Sequence, residues 1–493
     1  MTSTRTPDPR AAGWRFDNSY ARLPGALHSR VVPTPAAMPQ PVVFNRALAM
    51  DLGLDPEALA GEGAAALFVG NQLPEGAEPI AQAYAGHQFG NLARLGDGRA
   101  ILLGEHLTPS GKRFDIQLKG AGPTPYSRRG DGRAALGPML SEYLVSEAMH
   151  GLGIPTTRSL AVAATGEPVF REEPLRGAVL TRVAASHIRV GTFELFAALG
   201  DTESLRHLCD HTLQRHFADR VGFGNPALAL LAEVMERQAM LVAHWLRVGF
   251  VHGVMNTDNM ALGGETIDYG PCAFIDAYDP GAVFSSIDHQ GRYAFGAQPR
   301  IAGWNLARFA EALLPLVHPE PEQALGLAQE ALSGFEERSR WHWLAALRGK
   351  LGLHTEEPGD LDLATDLLQG LHRTAADYTH TFRNLRPGPA PASSPWTDPG
   401  LAEWHRRWND RLARQPQSVG EVATRMRANN PAVVPRNHAV EAALQAASGQ
   451  GDLAPFHRLL EALADPYADA GKPAFLTEPP PPGTPRCRTF CGT

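Results

Sequence analysis

The side chains best suited to chemistry stand close together in His252-Gly253-Val254-Met255-Asn256-Thr257-Asp258-Asn259, followed by Asp268-Tyr269-Gly270. The first run holds an Asp-Asn pair, and the second places an Asp before an aromatic-Gly step. An amide oxygen and a carboxylate suit a hard divalent cation, which takes oxygen ligands and completes its shell with waters and substrate phosphates. Residues 260–267 between them read as an apolar strand, a Gly263-Gly264 turn and a second short strand. Such a hairpin would bring Asn259 and Asp268 together at its open end. Asp-Asn is also a common turn pair, so the surrounding elements have to carry the assignment.

Gly96-Asp97-Gly98-Arg99 reads as a hairpin-type turn, with a buried strand over 100–104 after it. In Arg113–Lys119, Phe114, Ile116 and Leu118 share one face and Asp115, Gln117 and Lys119 the other. Lys119 therefore ends a strand on its polar face. A Gly-, Pro- and Arg-rich loop fills 120–137. A helix is expected next, with Pro138 as its first residue, Glu142 one turn in, and Gly151 and Gly153 closing it. Residues 158–182 read as two strands around a Gly166-Glu167-Pro168 turn. Pro226 to Val248 reads as a long helix capped by Asn225, leading directly into His252. Residues 1–75 look irregular apart from one short helix over 45–52. Past Tyr278 the pattern is helical over 304–316, 321–347, 361–382 and 400–466. A Pro-, Ala- and Ser-dense surface loop interrupts it at 387–399, and 478–485 is Pro-rich.

The 493 residues suffice for a large two-lobed fold, with 43% hydrophobic and 20% charged residues. A net charge of −7 gives no sign of a nucleic-acid partner. No apolar run reaches the roughly 18 residues of a membrane helix, and the polar start lacks the apolar core of a secretory signal. The four cysteines, Cys209, Cys272, Cys487 and Cys491, have neither zinc spacing nor the density of a secreted framework. The chain reads as a cytoplasmic bacterial protein.

The order of parts is turn, strand Lys, helix Glu, long helix, His and Asn, then Asp-aromatic-Gly. That is the order in a protein kinase, where a strand Lys pairs with a helix Glu and an Asn and an Asp hold the metal. One position departs. Counting back from Asn259 as in a kinase catalytic loop puts His252 in the His place and Val254 where the catalytic Asp belongs. Valine cannot accept a proton, and the nearest carboxylate is Asp258. Ordinary phosphoryl transfer with its base in the usual place is therefore unsupported. Arg99, Arg128, Arg129, Arg133, Arg182 and Arg189 lie in or near the β-rich part, and guanidinium forks suit polyphosphate oxygens. Converging arginines would hold a pyrophosphate leaving group and expose the α-phosphorus.

Five stretches carry a resemblance to a known family: Tyr84-Ala85-Gly86-His87-Gln88-Phe89-Gly90, Leu95-Gly96-Asp97-Gly98-Arg99, Gln117-Leu118-Lys119-Gly120, Tyr126-Ser127-Arg128-Arg129-Gly130-Asp131-Gly132-Arg133, and 253–259 with Asp268-Tyr269-Gly270-Pro271. On these the chain resembles the selenoprotein O family of pseudokinase protein adenylyltransferases. The resemblance implies an α+β, protein-kinase-like two-lobed fold with N- and C-terminal extensions. Its parts would be an extension over 1–75, an ATP-binding lobe over 76–190, and a helical lobe over 191–386 holding the catalytic segment 252–278. A helical extension over 387–477 and a tail over 478–493 would follow.

The implied reaction is transfer of AMP, from ATP bound in inverted orientation, to Ser, Thr or Tyr hydroxyls of proteins, with self-modification among the outcomes. The alternatives are uridylylation from UTP with Mn²⁺, a protein kinase with a displaced base, and an inactive nucleotide-binding scaffold. By the same resemblance Asp258 is the proton acceptor, and Asn259 and Asp268 bind Mg²⁺ or Mn²⁺. Gly96, Gly98, Arg99, Lys119, Asp131, Gly132, Arg182, Arg189 and Asp268 contact ATP, and Lys119 pairs with Glu142. A redox pair of Cys272 with Cys491 would pin the tail near the active segment.

Overall fold

The computed structural model of the chain describes residues 8–61, 63–469, 471–481, 483–485 and 487–489. It is a mixed α and β structure with one large sheet and many helices. The strands are β1 (His28–Arg30), β2 (Gln40–Phe44), β3 (Ile80–Gln82), β4 (Ala85–Gln88), β5 (Asn91–Arg94), β6 (Ala100–Leu107), β7 (Arg113–Lys119), β8 (Ala134–Ala135), β9 (Arg158–Phe170), β10 (Pro174–Ala184), β11 (Phe250–Val251) and β12 (Ala273–Phe274). The sheet runs β1-β3-β6-β7-β10-β9-β2, with β8 added beside β10. Two small two-stranded ribbons, β4-β5 and β11-β12, stand apart from it.

β7 alternates as its sequence dictates. Ile116 and Leu118 enter one apolar core, and Phe114 packs against it. Lys119 and Gln117 then share the opposite face, and Gln117 lies across from Arg182 of β10. Helices α1 (Arg46–Leu52), α2 (Pro56–Ala60) and α3 (Ala64–Phe68) cover the apolar face. Helix α4 (Leu136–Gly151) covers the other and brings Glu142 to it.

The remaining helices are α5 (Val190–Ala198), α6 (Thr202–His216), α7 (Pro226–Val248), α8 (Gln298–Val317), α9 (Pro321–Ser333), α10 (Phe335–Leu351), α11 (Asp360–Thr374), α12 (Tyr378–Asn384), α13 (Pro399–Leu412), α14 (Val419–Asn429), α15 (Asn437–Gln445), α16 (Ala454–Ala464) and α17 (Ala474–Thr477). Helix α7 is the axis of the helical part, with Leu230, Leu231, Val234, Leu241 and Leu246 in the largest core cluster. It begins as expected. Asn225 accepts from the Leu228 N–H, and its amide also bonds the carbonyls of Leu316 and Val317. Asn225→Ala is expected to cost about 1–2 kcal/mol, read as faster amide hydrogen exchange around Leu228. Among the described residues no helix is long and apolar enough to cross a membrane.

Several expected elements are built differently. Residues 28–30 and 40–44, read as irregular, are the two edge strands of the large sheet. Strands that short carry little periodic signal, and their partners lie far along the chain. Helix α4 starts at Leu136, two residues before Pro138, because β8 pairs with β10 and runs straight into it. The β9–β10 turn lies at 171–173. Gly166 is inside β9 at φ 76°, where a Cβ would meet that of Met38 at 2.4 Å.

Gly96-Asp97-Gly98 closes no hairpin. It crosses from the β4-β5 ribbon to β6 of the large sheet, and Gly96 at φ 115° lets the Tyr126 ring approach. The two arms of 260–267 do not pair with each other. Ala261 bridges Arg189, and Thr266 bridges Thr156, so neighbouring segments satisfy the backbone that a hairpin would have used.

Candidate active site

Strands β7 and β10 converge on Asp268. Lys119, at the end of β7, donates from Nζ to Glu142 Oε2 at 2.6 Å and to Asp268 Oδ1 at 2.8 Å. Arg182 of β10 donates to Glu142 Oε1 at 3.2 Å and to Asp268 Oδ1 at 2.6 Å. Gln117 fixes Arg182, its Oε1 accepting from Nε at 3.2 Å and from Nη2 at 2.6 Å. The Lys119–Glu142 pairing expected from the sequence is therefore present, as one edge of a larger buried network. Burial pushes the Asp268 carboxyl up, but Lys119, Arg182 and Arg189 outweigh it and hold it well below the usual range. Asp268 sits at φ 60°, a left-handed conformation that aspartate tolerates better than most residues.

Arg189 extends the cationic side. Its Nη2 lies 3.7 Å from Asp268 and its Nη1 3.6 Å from Asp97. Its guanidinium stacks on the Tyr84 ring at 4.3 Å. Nε and Nη1 are buried without a hydrogen-bond partner, although the charge is flanked by carboxylates. Asp97 accepts from the Gln82 N–H, and burial raises its pKa despite Arg189. Asp97, Tyr84 and Gln117 were absent from the sequence-based site. Each acts through a partner distant in sequence, although all three stand inside the quoted motifs.

Asp258 is 9% exposed, and its Oδ1 is buried with no hydrogen-bond partner. Burial pushes its pKa up to about 6, against the pull of Arg189. The ribbon strand β4 makes room for it, because a Cβ at Gly86 would lie 2.1 Å from Asp258 Oδ1. The Asp258 segment is held by Glu194 of α5, which accepts from Thr257 Oγ1 at 2.5 Å and meets His87 Nδ1 at 2.6 Å. Gly86→Ala is expected to displace the Asp258 carboxylate. The expected outcome is a loss of turnover of at least about 100-fold with the folded state retained, checked by circular dichroism beside a transfer assay.

One cleft of about 730 Å³ gathers nearly all the expected residues. Gly96, Gly98, Arg99, Lys119, Asp131, Gly132, Arg182, Arg189, Asp258, Asn259 and Asp268 line it, with Arg128, Arg129 and Arg133. Glu142 reaches it through Lys119. Val254 lines it as well, so the residue at the kinase base position faces the same space as Asp258. Asn259 donates from Nδ2 to the Val254 carbonyl at 3.0 Å, which leaves its Oδ1 for another partner. Among the described residues no three His, Cys, Asp or Glu side chains group as a metal site. One amide and one carboxylate fit a cation that fills its shell from water and phosphate.

Arg171 was not foreseen. It lines the cleft and pairs with Asp131 at 2.9 Å from the β9–β10 turn, which the sequence reading placed elsewhere. Cys272 is a free thiol, pushed up to about 12 by burial. It lines an adjoining cavity of about 450 Å³ together with Cys487, Lys119 and Glu142. Cys491, and with it the expected Cys272–Cys491 pairing, lies outside the described residues.

A cleft lined by arginines and glycines, with an amide and two carboxylates at its base, is that of a nucleotide-handling enzyme, and comparison with known proteins agrees. The family described as protein adenylyltransferase SelO matches residues 13–464. The protein nucleotidyltransferase YdiU of Geobacillus kaustophilus is 59% identical over 482 residues, covering 98% of this chain and 100% of that one. Proteins of the same name from Syntrophotalea carbinolica and Nitrosococcus oceani are 56% and 55% identical. These cover 98% of both chains in the first case and 100% of both in the second. The chain belongs to the SelO family and is an enzyme of the nucleotidyltransferase class. The family expected from the sequence motifs is thus borne out.

Proposed function

We propose that the protein is an adenylyltransferase that moves AMP from ATP to Ser, Thr or Tyr hydroxyls of proteins. Its frame is kinase-like and two-lobed. The ATP-binding elements lie within 76–190, and the catalytic segment 252–278 lies in a helical lobe over 191–386. ATP lies inverted, with its β- and γ-phosphates among the cleft arginines and its α-phosphorus toward Asp258. One observation carries this reading: Asp258, whose Oδ1 is buried beside Gly86 without a hydrogen-bond partner, lines the cleft, while valine fills the kinase base position.

The chemistry follows from those residues. Asp258 takes the proton of the acceptor hydroxyl. The hydroxyl oxygen forms a bond to the α-phosphorus, the bond to the β-phosphate oxygen breaks, and pyrophosphate leaves among Arg182, Arg189 and Lys119. Asn259 and Asp268 would hold Mg²⁺ or Mn²⁺, which when bound supplies positive charge to the phosphates. Gln117 and Glu142 hold Arg182 and Lys119 in place.

Intact-mass analysis after incubation with ATP and Mg²⁺ tests the proposal, with UTP and Mn²⁺ run in parallel. The expected result is a gain of one AMP on the protein or on an added acceptor. A gain of UMP alone would favour uridylylation, and a gain of phosphate would overturn nucleotide transfer.

A further inference from the structure

A basic and aromatic platform lies just outside the cleft, beside the Asp258 segment. The tip of the β4-β5 ribbon, Phe89-Gly90, meets Arg292, and a Cβ on Gly90 would lie 3.8 Å from Arg292 Nη2. Trp304 of α8 carries two guanidiniums, Arg292 at 4.7 Å and Arg308 at 5.1 Å from its ring. His87 meets the same ring edge-on at 5.3 Å. The Nε atoms of both arginines are buried and donate to nothing among the described residues. Arg308 is paired with Glu311 at 2.6 Å, whereas Arg292 has no ion pair among the described residues. The nearby carboxylate of Asp288 is turned to the backbone, accepting from the N–H groups of Arg292 and Tyr293. A stacked guanidinium keeps its donors in a fixed plane and is weakly hydrated, which suits it to capture a carboxylate.

The platform is tied to the reacting segment. Tyr293 Oη donates to Asn256 Oδ1 at 2.6 Å, two residues before Asp258, and the Phe89 N–H reaches the same oxygen at 3.3 Å. The His87 N–H donates to Thr257 Oγ1 at 2.7 Å. One wall of the cleft, from the large sheet and the 126–133 loop, carries the arginines and glycines that suit a polyphosphate. The wall beside Asp258 carries Gln88, Phe89 and Ile287, the last 49% exposed. A polypeptide that approached Asp258 over this second wall would meet Arg292.

We propose that this platform docks the acceptor and selects protein segments with aspartate or glutamate within a few residues of the hydroxyl. Arg292 reads that carboxylate, Trp304 holds Arg292 flat, and Ile287 takes an apolar neighbour. The proposal rests on the nucleotidyl-transfer reading above. It deepens that reading by naming a feature of the acceptor.

The test uses the full-length protein, α-labelled ATP, Mg²⁺ and peptides with one hydroxyl residue flanked by Glu, Ala or Lys. Wild type is expected to prefer the Glu peptide over the Ala peptide by about three- to tenfold in kcat/KM, carried in KM. Arg292→Ala should lose that preference, and Arg292→Glu should reverse it in favour of the Lys peptide. ATP affinity, measured on each variant, reports a folded cleft. Equal use of the three peptides by wild type, or an unchanged preference in Arg292→Glu, overturns the docking proposal alone. Absence of label on any peptide or protein, with ATP still bound, overturns the transfer reading and this proposal with it.

Discussion

Asp258→Asn is expected to lower the rate of AMP transfer by about 10²–10⁴-fold while nucleotide affinity stays within about twofold of wild type. Asparagine fills the same space beside Gly86, but its neutral amide cannot take the proton that a carboxylate can. The Lys119–Glu142–Arg182–Asp268 network makes no hydrogen bond to Asp258, so the phosphate-binding side should survive the change. Single-turnover rates beside calorimetric ATP titrations separate the two effects. Equal loss of binding and turnover would mean that Asp258 holds the nucleotide and takes no part as a base.

Asp268→Ala should act on binding instead. Loss of an outer-shell partner alone costs about 10–100-fold in metal affinity, so loss of a ligand should cost at least that. Lys119, Arg182 and Arg189 would remain without the carboxylate they share, and phosphate oxygens would still attract them. The expected signature is a ratio. Mg²⁺ tightens ATP binding in wild type, whereas the variant binds ATP equally with Mg²⁺ or with a chelator. A variant that still gains affinity from Mg²⁺ like wild type would remove Asp268 from the metal site.

The site was more legible than the sheet that carries it. Lys119 could be placed because alternation along β7 is local and assigns each side chain a face. Asn259, Asp268 and the departure at Val254 could be placed because spacing along one loop is also local. Asp97, Gln117 and Glu194 could not. Their importance lies in contacts with Arg189, Arg182 and Thr257, each far along the chain or across a sheet register. The same reason hid β1 and β2, three and five residues long, whose partners β3 and β9 follow about 50 and more than 110 residues later. The loop 260–267 resembles a hairpin in sequence because two short arms flank the Gly263-Gly264 turn. Residues 156 and 189 offered the better partners. Asn259 and Asp268 nonetheless both line the one cleft.

The central claim is that the α-phosphorus is the atom attacked. Parallel incubations with ATP labelled at the α- or the γ-phosphate, each with Mg²⁺ and a protein acceptor, test it most directly. The account predicts label on protein from α-labelled ATP only, with the γ-label released in pyrophosphate. Label on protein from γ-labelled ATP would contradict it.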